Sequence, residues 1–143
     1  MMVHSYLFFD GRCEEALAFY ARALDARVTM LMRNRESPDP VPPGMLPPGS
    51  EDKVMHAQLR VGDTEIMVSD GRCGGKPQFD GFSLALSVPG DDDARRRFDA
   101  LAEGGQVQMP LSATFWATSF GMVQDRFGVV WMVMAPRAQP PAG

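Results

Sequence analysis

Two histidines and two cysteines in 143 residues leave few conventional groups from which this chain can build chemistry. His56 is followed at two residues by Gln58, and in an extended segment that spacing puts both on one face. An imidazole so placed serves a ligand as hydrogen-bond donor or general base near neutral pH. Alternatively it is a structural group tied to a cross-strand partner. His4 leaves the same two readings open. Neither histidine is joined by a Ser and an acidic residue in a recognisable triad. The string Gly71-Arg72-Cys73-Gly74-Gly75-Lys76 misses the phosphate-loop spacing and its terminal Ser or Thr. Cys73, beside Arg72 and Lys76, is placed for a lowered thiol pKa, and an inert bystander thiol is the plainer reading.

Sulfur and aromatic groups are the other resource. The chain has eleven methionines, and Met67, Met109, Met122, Met132 and Met134 fall in strand-like segments. Methionine is unbranched and polarizable, so it suits an adaptable apolar cavity, and equally a core or a dimer seam. Tyr6 and Trp116 offer flat walls with a polar edge.

The elements that must position these residues are legible from periodicity. Val3 to Phe9 is strand-like, and Asp10-Gly11-Arg12 turns into a helix near 13–25. Its apolar positions Ala16, Leu17, Tyr20, Ala23 and Leu24 recur at three- and four-residue spacing. Val28 to Met32 is a second strand. Residues 36–52 hold Pro38, Pro40, Pro42, Pro43, Pro47 and Pro48, a density that forbids helix and central strand and marks a long surface loop. Lys53 to Val61 and Thr64 to Ser69 are strands hinged at Gly62-Asp63, with Met55, Ala57, Leu59 and Val61 opposite His56, Gln58 and Arg60.

After a Gly-rich link the pattern starts again. Gly81 to Val88 is a strand, with Phe82, Leu84, Leu86 and Val88 opposite Ser83, Ala85 and Ser87. A helix near 91–103 opens on three aspartates, which suit the positive end of a helix dipole. It buries Ala94, Phe98, Leu101 and Ala102 and stops at Gly104-Gly105. Val107 to Leu111 is followed by two strands joined at Asp125-Arg126-Phe127-Gly128. The last is apolar on both faces, Val129, Trp131 and Val133 one way and Val130, Met132 and Met134 the other. Such a strand is covered on both sides, by a helix on one and by a second layer or an apolar cavity on the other.

The chain thus reads strand, helix, three strands, twice over. Module 1 spans about 1–70, a link 71–80, module 2 about 81–134 and a tail 135–143, all in one domain. The expected class is α+β: two βαβββ modules forming curled, antiparallel-rich mixed sheets with the helices outside. Asp-Gly-Arg-Cys occurs at 10–13 and again at 70–73, at different places in the two modules, and is read as coincidence.

Composition excludes several function classes. A net charge of −4 with 22% charged residues gives nucleic acid no footing. The one basic run, Arg95-Arg96-Arg97, sits among Asp91, Asp92, Asp93 and Asp99 and reads as a solvated helix face. No apolar run reaches the roughly 18 residues of a membrane span, and no signal peptide precedes the first strand. Two cysteines make no disulfide framework, so a reducing cytoplasm is expected.

With Cys13-Glu14-Glu15-Ala16-Leu17-Ala18-Phe19-Tyr20 in its first helix, the paired pattern resembles the vicinal oxygen chelate superfamily. That superfamily includes glyoxalase I, extradiol dioxygenases and antibiotic-resistance proteins. Within it the chain looks like the PhnB-like branch, some of whose members are labelled 3-demethylubiquinone methyltransferase. The matching residues are His56-Ala57 with Leu59, Ile66-Met67 with Ser69-Asp70, Gly81-Phe82 with Leu84, Phe115-Trp116, Phe120-Gly121, and Asp125-Arg126-Phe127-Gly128-Val129 with Trp131. The resemblance spans about Met1 to Met134, and the closing motif is its most specific part.

The resemblance implies that each sheet forms half of a cup and that many members dimerise; a homodimer is expected here because a curled sheet leaves strand edges and apolar surface that a symmetric partner can cover. Superfamily enzymes hold a divalent ion from positions that fall here near His4, Met67, Ser83 and Met132. Of these only His4 is an ordinary ligand for a catalytic divalent metal, since thioethers suit Cu(I) and a Ser hydroxyl is weak. A register slip of one would offer Glu65 or Gln58 but turn Ile66 and Val68 inward. No metal and no cofactor are therefore expected. The expected role is binding of a small, mostly apolar molecule by His4, Tyr6, His56, Met67, Ser83, Trp116 and Met132, with the 36–52 loop near the mouth. A metal-dependent lyase, isomerase or dioxygenase is the alternative. The methyltransferase label is not adopted, because such enzymes usually need a doubly wound parallel sheet with a glycine-rich first turn.

Overall fold

The computed structural model describes residues 1–39 and 41–138, which fall into two compact units, Met1–Gln78 and Phe79–Gly143. Pro40 and residues 139–143, with the end of the expected tail, lie outside the described residues.

The first unit runs β1 (Tyr6–Phe8), α1 (Cys13–Leu24), β2 (Arg27–Arg33), β3 (Val54–Val61) and β4 (Thr64–Ser69), with a single 3-10 turn at Asn34–Glu36 after β2. Its sheet has the order β1-β4-β3-β2, with β1 parallel to β4 and the other pairs antiparallel. The second unit repeats the plan as β5 (Leu84–Ser87), α2 (Asp91–Ala102), β6 (Gln106–Ser112), β7 (Ala117–Gln124) and β8 (Val130–Pro136). Its order is β5-β8-β7-β6, again with one parallel pair, β5 and β8. The α+β class and the two mixed four-stranded sheets expected from the sequence are what the chain forms.

Each helix covers one face of its own sheet. In α1 Ala16, Leu17, Tyr20, Ala23 and Leu24 are buried as the spacing predicts, and Cys13 and Phe19 with them. In β3 and β4 the buried residues are Val54, Ala57, Leu59, Ile66, Val68 and Ser69. Full burial of one Val, Leu or Ile side chain contributes roughly 1.5–3 kcal/mol. Leu24 ends the helix because Asp25 takes a left-handed conformation (φ 53°).

Arg12 makes no side-chain cap at the start of α1. The cap comes instead from Asp70 at the end of β4. Its Oδ1 accepts the amides of Gly11 and Cys13, each at 2.8 Å, and its Oδ2 accepts that of Val54 at 2.7 Å. One buried carboxylate thereby satisfies orphan donors of the helix and fixes α1 to β3 and β4. At the same end of α1, Arg33 at the end of β2 makes a two-pronged pair with Glu14, at 2.9 and 3.0 Å.

In the second unit α2 seats Ala94, Phe98 and Leu101 in the core. Gly121 makes that seat possible: a Cβ there would lie 2.8 Å from the Phe98 ring and 2.9 Å from the Met109 carbonyl. Arg96 pairs with Asp93 and Arg95 with Asp99 on the exposed side. Between β7 and β8, Asp125 turns the chain, its Oδ1 accepting the amides of Phe127 and Val129 and its Oδ2 the indole N–H of Trp131.

Several elements are shorter than the sequence suggests. β1 begins at Tyr6 rather than Val3, and β5 at Leu84 rather than Gly81. β1 and β5 are edge strands with a partner on one side only, and each ladder stops short of its partner's end: β4 starts at Thr64 and β8 at Val130, whereas the pairing starts at Met67 and Trp131. His4 and Ser83 consequently lie just outside their strands. The last strand is also less covered than expected: Trp131, Val133 and Ala135 are buried, whereas Val130, Met132 and Met134 are half-buried.

Candidate functional site

In each sheet the face turned away from the helix gathers the chemistry-bearing side chains. On the first sheet, register places Met30 beside Gln58, Gln58 beside Met67, and Met67 beside Tyr6, one row across all four strands. Met32 and His56 form the next pair. All of these are half-buried except Met30, which is 36% exposed. Phe8, two residues beyond Tyr6, shares its face, with ring centroids 5.0 Å apart.

Within this face Tyr6 and His56 are joined. The Tyr6 hydroxyl lies 2.9 Å from Nδ1 of His56, and the rings are 5.5 Å apart. The two residues belong to strands on either side of β4. His56 is therefore tied to a cross-strand partner, and its second ring nitrogen, Nε2, has no partner among the described residues. No buried side-chain nitrogen or oxygen in those residues lacks one, so Nε2 is reachable by solvent.

The second sheet repeats the arrangement with sulfur. Register aligns Met109, Met122, Met132 and Ala85 in one row across β6, β7, β8 and β5. The next row is Ser112, Phe120, Met134 and Ser87. Trp116, in the segment before β7, packs edge-on against Phe120 at 5.4 Å and against Phe115 at 4.7 Å.

Of the residues expected to bind a ligand, the structure brings Tyr6, His56 and Met67 onto one sheet face. His4 precedes that face and is exposed. In the second unit Met132 lies at the centre of the methionine row, Ser83 sits half-buried before β5, and Trp116 borders the face through Phe120. Sequence reasoning did not single out Met30, Met32 or Phe8, and it named Phe120 only as part of the resemblance and not as a ligand contact. The period of two was available: Phe8 follows Tyr6 and Met32 follows Met30 at that interval.

The metal positions drawn from the resemblance hold one imidazole, two thioethers and one hydroxyl. That donor set does not fit a catalytic divalent cation. Among the described residues no three His, Cys, Asp or Glu side chains are grouped closely enough to hold an ion. Cys73 is not activated: burial raises its thiol pKa, Asp70 adds to the rise, and contacts with Ser50 and Lys53 only partly oppose it. Burial lifts Cys13 further still.

The two copies of Asp-Gly-Arg-Cys prove to be neighbours. β1 and β4 are adjacent and parallel, with Phe8 opposite Ser69, so both copies turn the chain at the same end of the sheet. Asp70 of the second copy caps Gly11 and Cys13 of the first, and a Cβ on Gly71 would press on Phe8.

Comparison with known proteins follows the same lines. The family described as 3-demethylubiquinone-9 3-methyltransferase matches residues 2–134. Protein YjdN of Escherichia coli K12 is 36% identical over 147 residues, spanning 98% of this chain and 99% of its own. The crystal structure of protein PA1353 from Pseudomonas aeruginosa is 41% identical, with TM-score 0.82 over 96% of this chain and 99% of that one. The PhnB protein from Bacillus cereus is 26% identical, with TM-score 0.76 over 94% and 99%. A glyoxylase/bleomycin resistance protein/dioxygenase domain from Frankia shares the fold at 17% identity and TM-score 0.69, over 96% and 98%.

Proposed function

Because the chain belongs to the family described as 3-demethylubiquinone-9 3-methyltransferase, the PhnB-like branch of the vicinal oxygen chelate superfamily, we propose that it binds a small, mostly apolar molecule and that binding needs no metal. The observation that carries this reading is the pair of sheet faces turned from the helices. The first holds Met30 and Met67 in one row with Gln58 and Tyr6 and adds the Tyr6–His56 pair, and the second holds Met109, Met122 and Met132 in one row. Methionine adapts its shape to an apolar guest at low cost, and a few polar groups among apolar walls are the usual make-up of a small-molecule site. On the first face, taken by itself, the proposed contacts are Tyr6, His56 and Met67, preceded by His4; on the second face, taken by itself, they are Ser83, Trp116 and Met132.

The family's methyltransferase description is not carried over to this chain. Each sheet is four-stranded and mixed, with one parallel pair, and offers no doubly wound parallel sheet with a glycine-rich first turn. Among the described residues no helix is long and apolar enough to cross a membrane. A homodimer is part of the proposal. The edge strands β2 and β6 leave Val28, Met30, Val107 and Met109 between 36% and 49% exposed, apolar surface that a second copy would cover.

Methionine-methyl NMR tests the reading. Adding 2-isopropylnaphthalene should shift the methyl signals of Met67, Met122 and Met132, while those of Met1 and Met45 stay in place. A spectrum unchanged at saturating probe overturns it. Metal analysis of protein purified without chelator or affinity tag tests the second half: stoichiometric Zn, Ni, Mn or Fe refutes metal independence.

A further inference from the structure

Resting on that reading of the first sheet face, we infer that Tyr6 fixes the tautomer of His56, so that the face recognises a molecule carrying a hydrogen-bond acceptor, such as a ketone or carboxylate oxygen, on its apolar body. A neutral imidazole has one N–H and one bare nitrogen, and the hydrogen bond at one nitrogen decides the role of the other. At Nδ1 the partner is a phenol, 2.9 Å away. A phenolic O–H is far more acidic than a neutral imidazole N–H, and a bare imidazole nitrogen is a better acceptor than a phenol oxygen. The hydroxyl therefore donates to Nδ1, and the proton sits on Nε2.

That Nε2–H reaches solvent and has no partner among the described residues. Around it stand Met32, opposite His56 on β2, and the ring of Tyr6, with Phe8 and Met67 beside that ring. A donor of fixed direction beside apolar groups, with the Gln58 amide further along the same face, discriminates between guests. A guest with an acceptor satisfies it, whereas a hydrocarbon of the same shape leaves it dehydrated and unpaired. Through its hydroxyl Tyr6 is thus a positioning residue, while its ring is one of the apolar contacts, and His56 is the group that hydrogen-bonds the ligand.

Two probes of nearly equal shape separate this from general apolar binding: 2-acetylnaphthalene, with a carbonyl oxygen, and 2-isopropylnaphthalene, without one. The affinity ratio of ketone to hydrocarbon should be about 2- to 10-fold higher for the wild type than for His56→Phe, the worth of one net hydrogen bond. Long-range proton–nitrogen NMR of the ligand-free protein should show His56 protonated at Nε2, and Tyr6→Phe should bring in the Nδ1-protonated form. Should His56→Phe fail to fold, the wild-type tautomer and the probe ratio of Tyr6→Phe decide. An Nδ1-protonated ring, or a ratio that the substitutions leave unchanged, overturns the inference while leaving apolar binding intact. Failure of both probes to bind the wild type overturns the binding reading and this inference with it.

Discussion

Asp125 and Trp131 are joined inside the second unit by a 2.9 Å hydrogen bond from the indole N–H to Oδ2, with both residues only 3% exposed. Oδ1 of the same carboxylate holds the amides of Phe127 and Val129. The bond explains why the Asp-Arg-Phe-Gly turn and a Trp six residues after its Asp occur together: one side chain shapes the hairpin and anchors the indole of β8. Asp125→Ala leaves buried donors unpaired, at about 1–3 kcal/mol each and not additively. A loss of about 3–5 kcal/mol is expected by urea denaturation, with Asp125→Asn intermediate because its amide oxygen still serves the turn. A loss under 1 kcal/mol for the alanine variant would contradict this account.

Gly121 is expected to be intolerant of the smallest side chain. A methyl group there meets the Phe98 ring and the Met109 carbonyl inside van der Waals distance. Gly121→Ala should lower stability by about 1–3 kcal/mol through overpacking. Shortening the obstacle with Phe98→Leu should make the two changes less than additive, which a double-mutant cycle measures. Strict additivity would show that α2 does not rest on Gly121.

Alkaline stability should report on Cys13. Burial raises its thiol pKa above the ordinary 9.0, with Asp70 and Glu14 adding to the rise. The folded chain then keeps a proton that the unfolded chain releases, so the contribution of Cys13 is fully present below about pH 9 and declines as pH rises beyond it. The decline approaches about 1.4 kcal/mol per pH unit. Cys13→Ala should flatten the stability curve above pH 9 by that slope. Parallel curves for the variant and wild type would refute it.

Self-association should depend on the edge strands. Sedimentation velocity at micromolar concentration is expected to show a dimer for the wild type and a shift toward monomer for Val107→Lys with Met109→Lys on β6. A wild-type monomer would remove the homodimer from the proposed function.

Local spacing determined most of the architecture. The three- and four-residue recurrence of Ala16, Leu17, Tyr20, Ala23 and Leu24 fixed α1 and its buried side, since a helix face depends only on sequence interval. The alternation around Ala57 and Leu59 fixed which way His56 and Gln58 point, for the same reason. The duplicated order of elements followed, and with it the fold class.

What a residue touches is another matter, because strand pairing is a long-range choice that no local period encodes. Only the parallel pairing of β1 with β4 brings Asp70 to the start of a helix 57 residues earlier. The same pairing turns two copies of Asp-Gly-Arg-Cys, read as coincidence from the sequence, into neighbours. It also lets Tyr6 reach His56 from two strands away, converting two separate candidates into one polar group with a defined direction. His4 and Ser83 fell outside their strands because each edge ladder, held from one side only, stops short of its partner's end, and the sequence of the edge strand does not record that point.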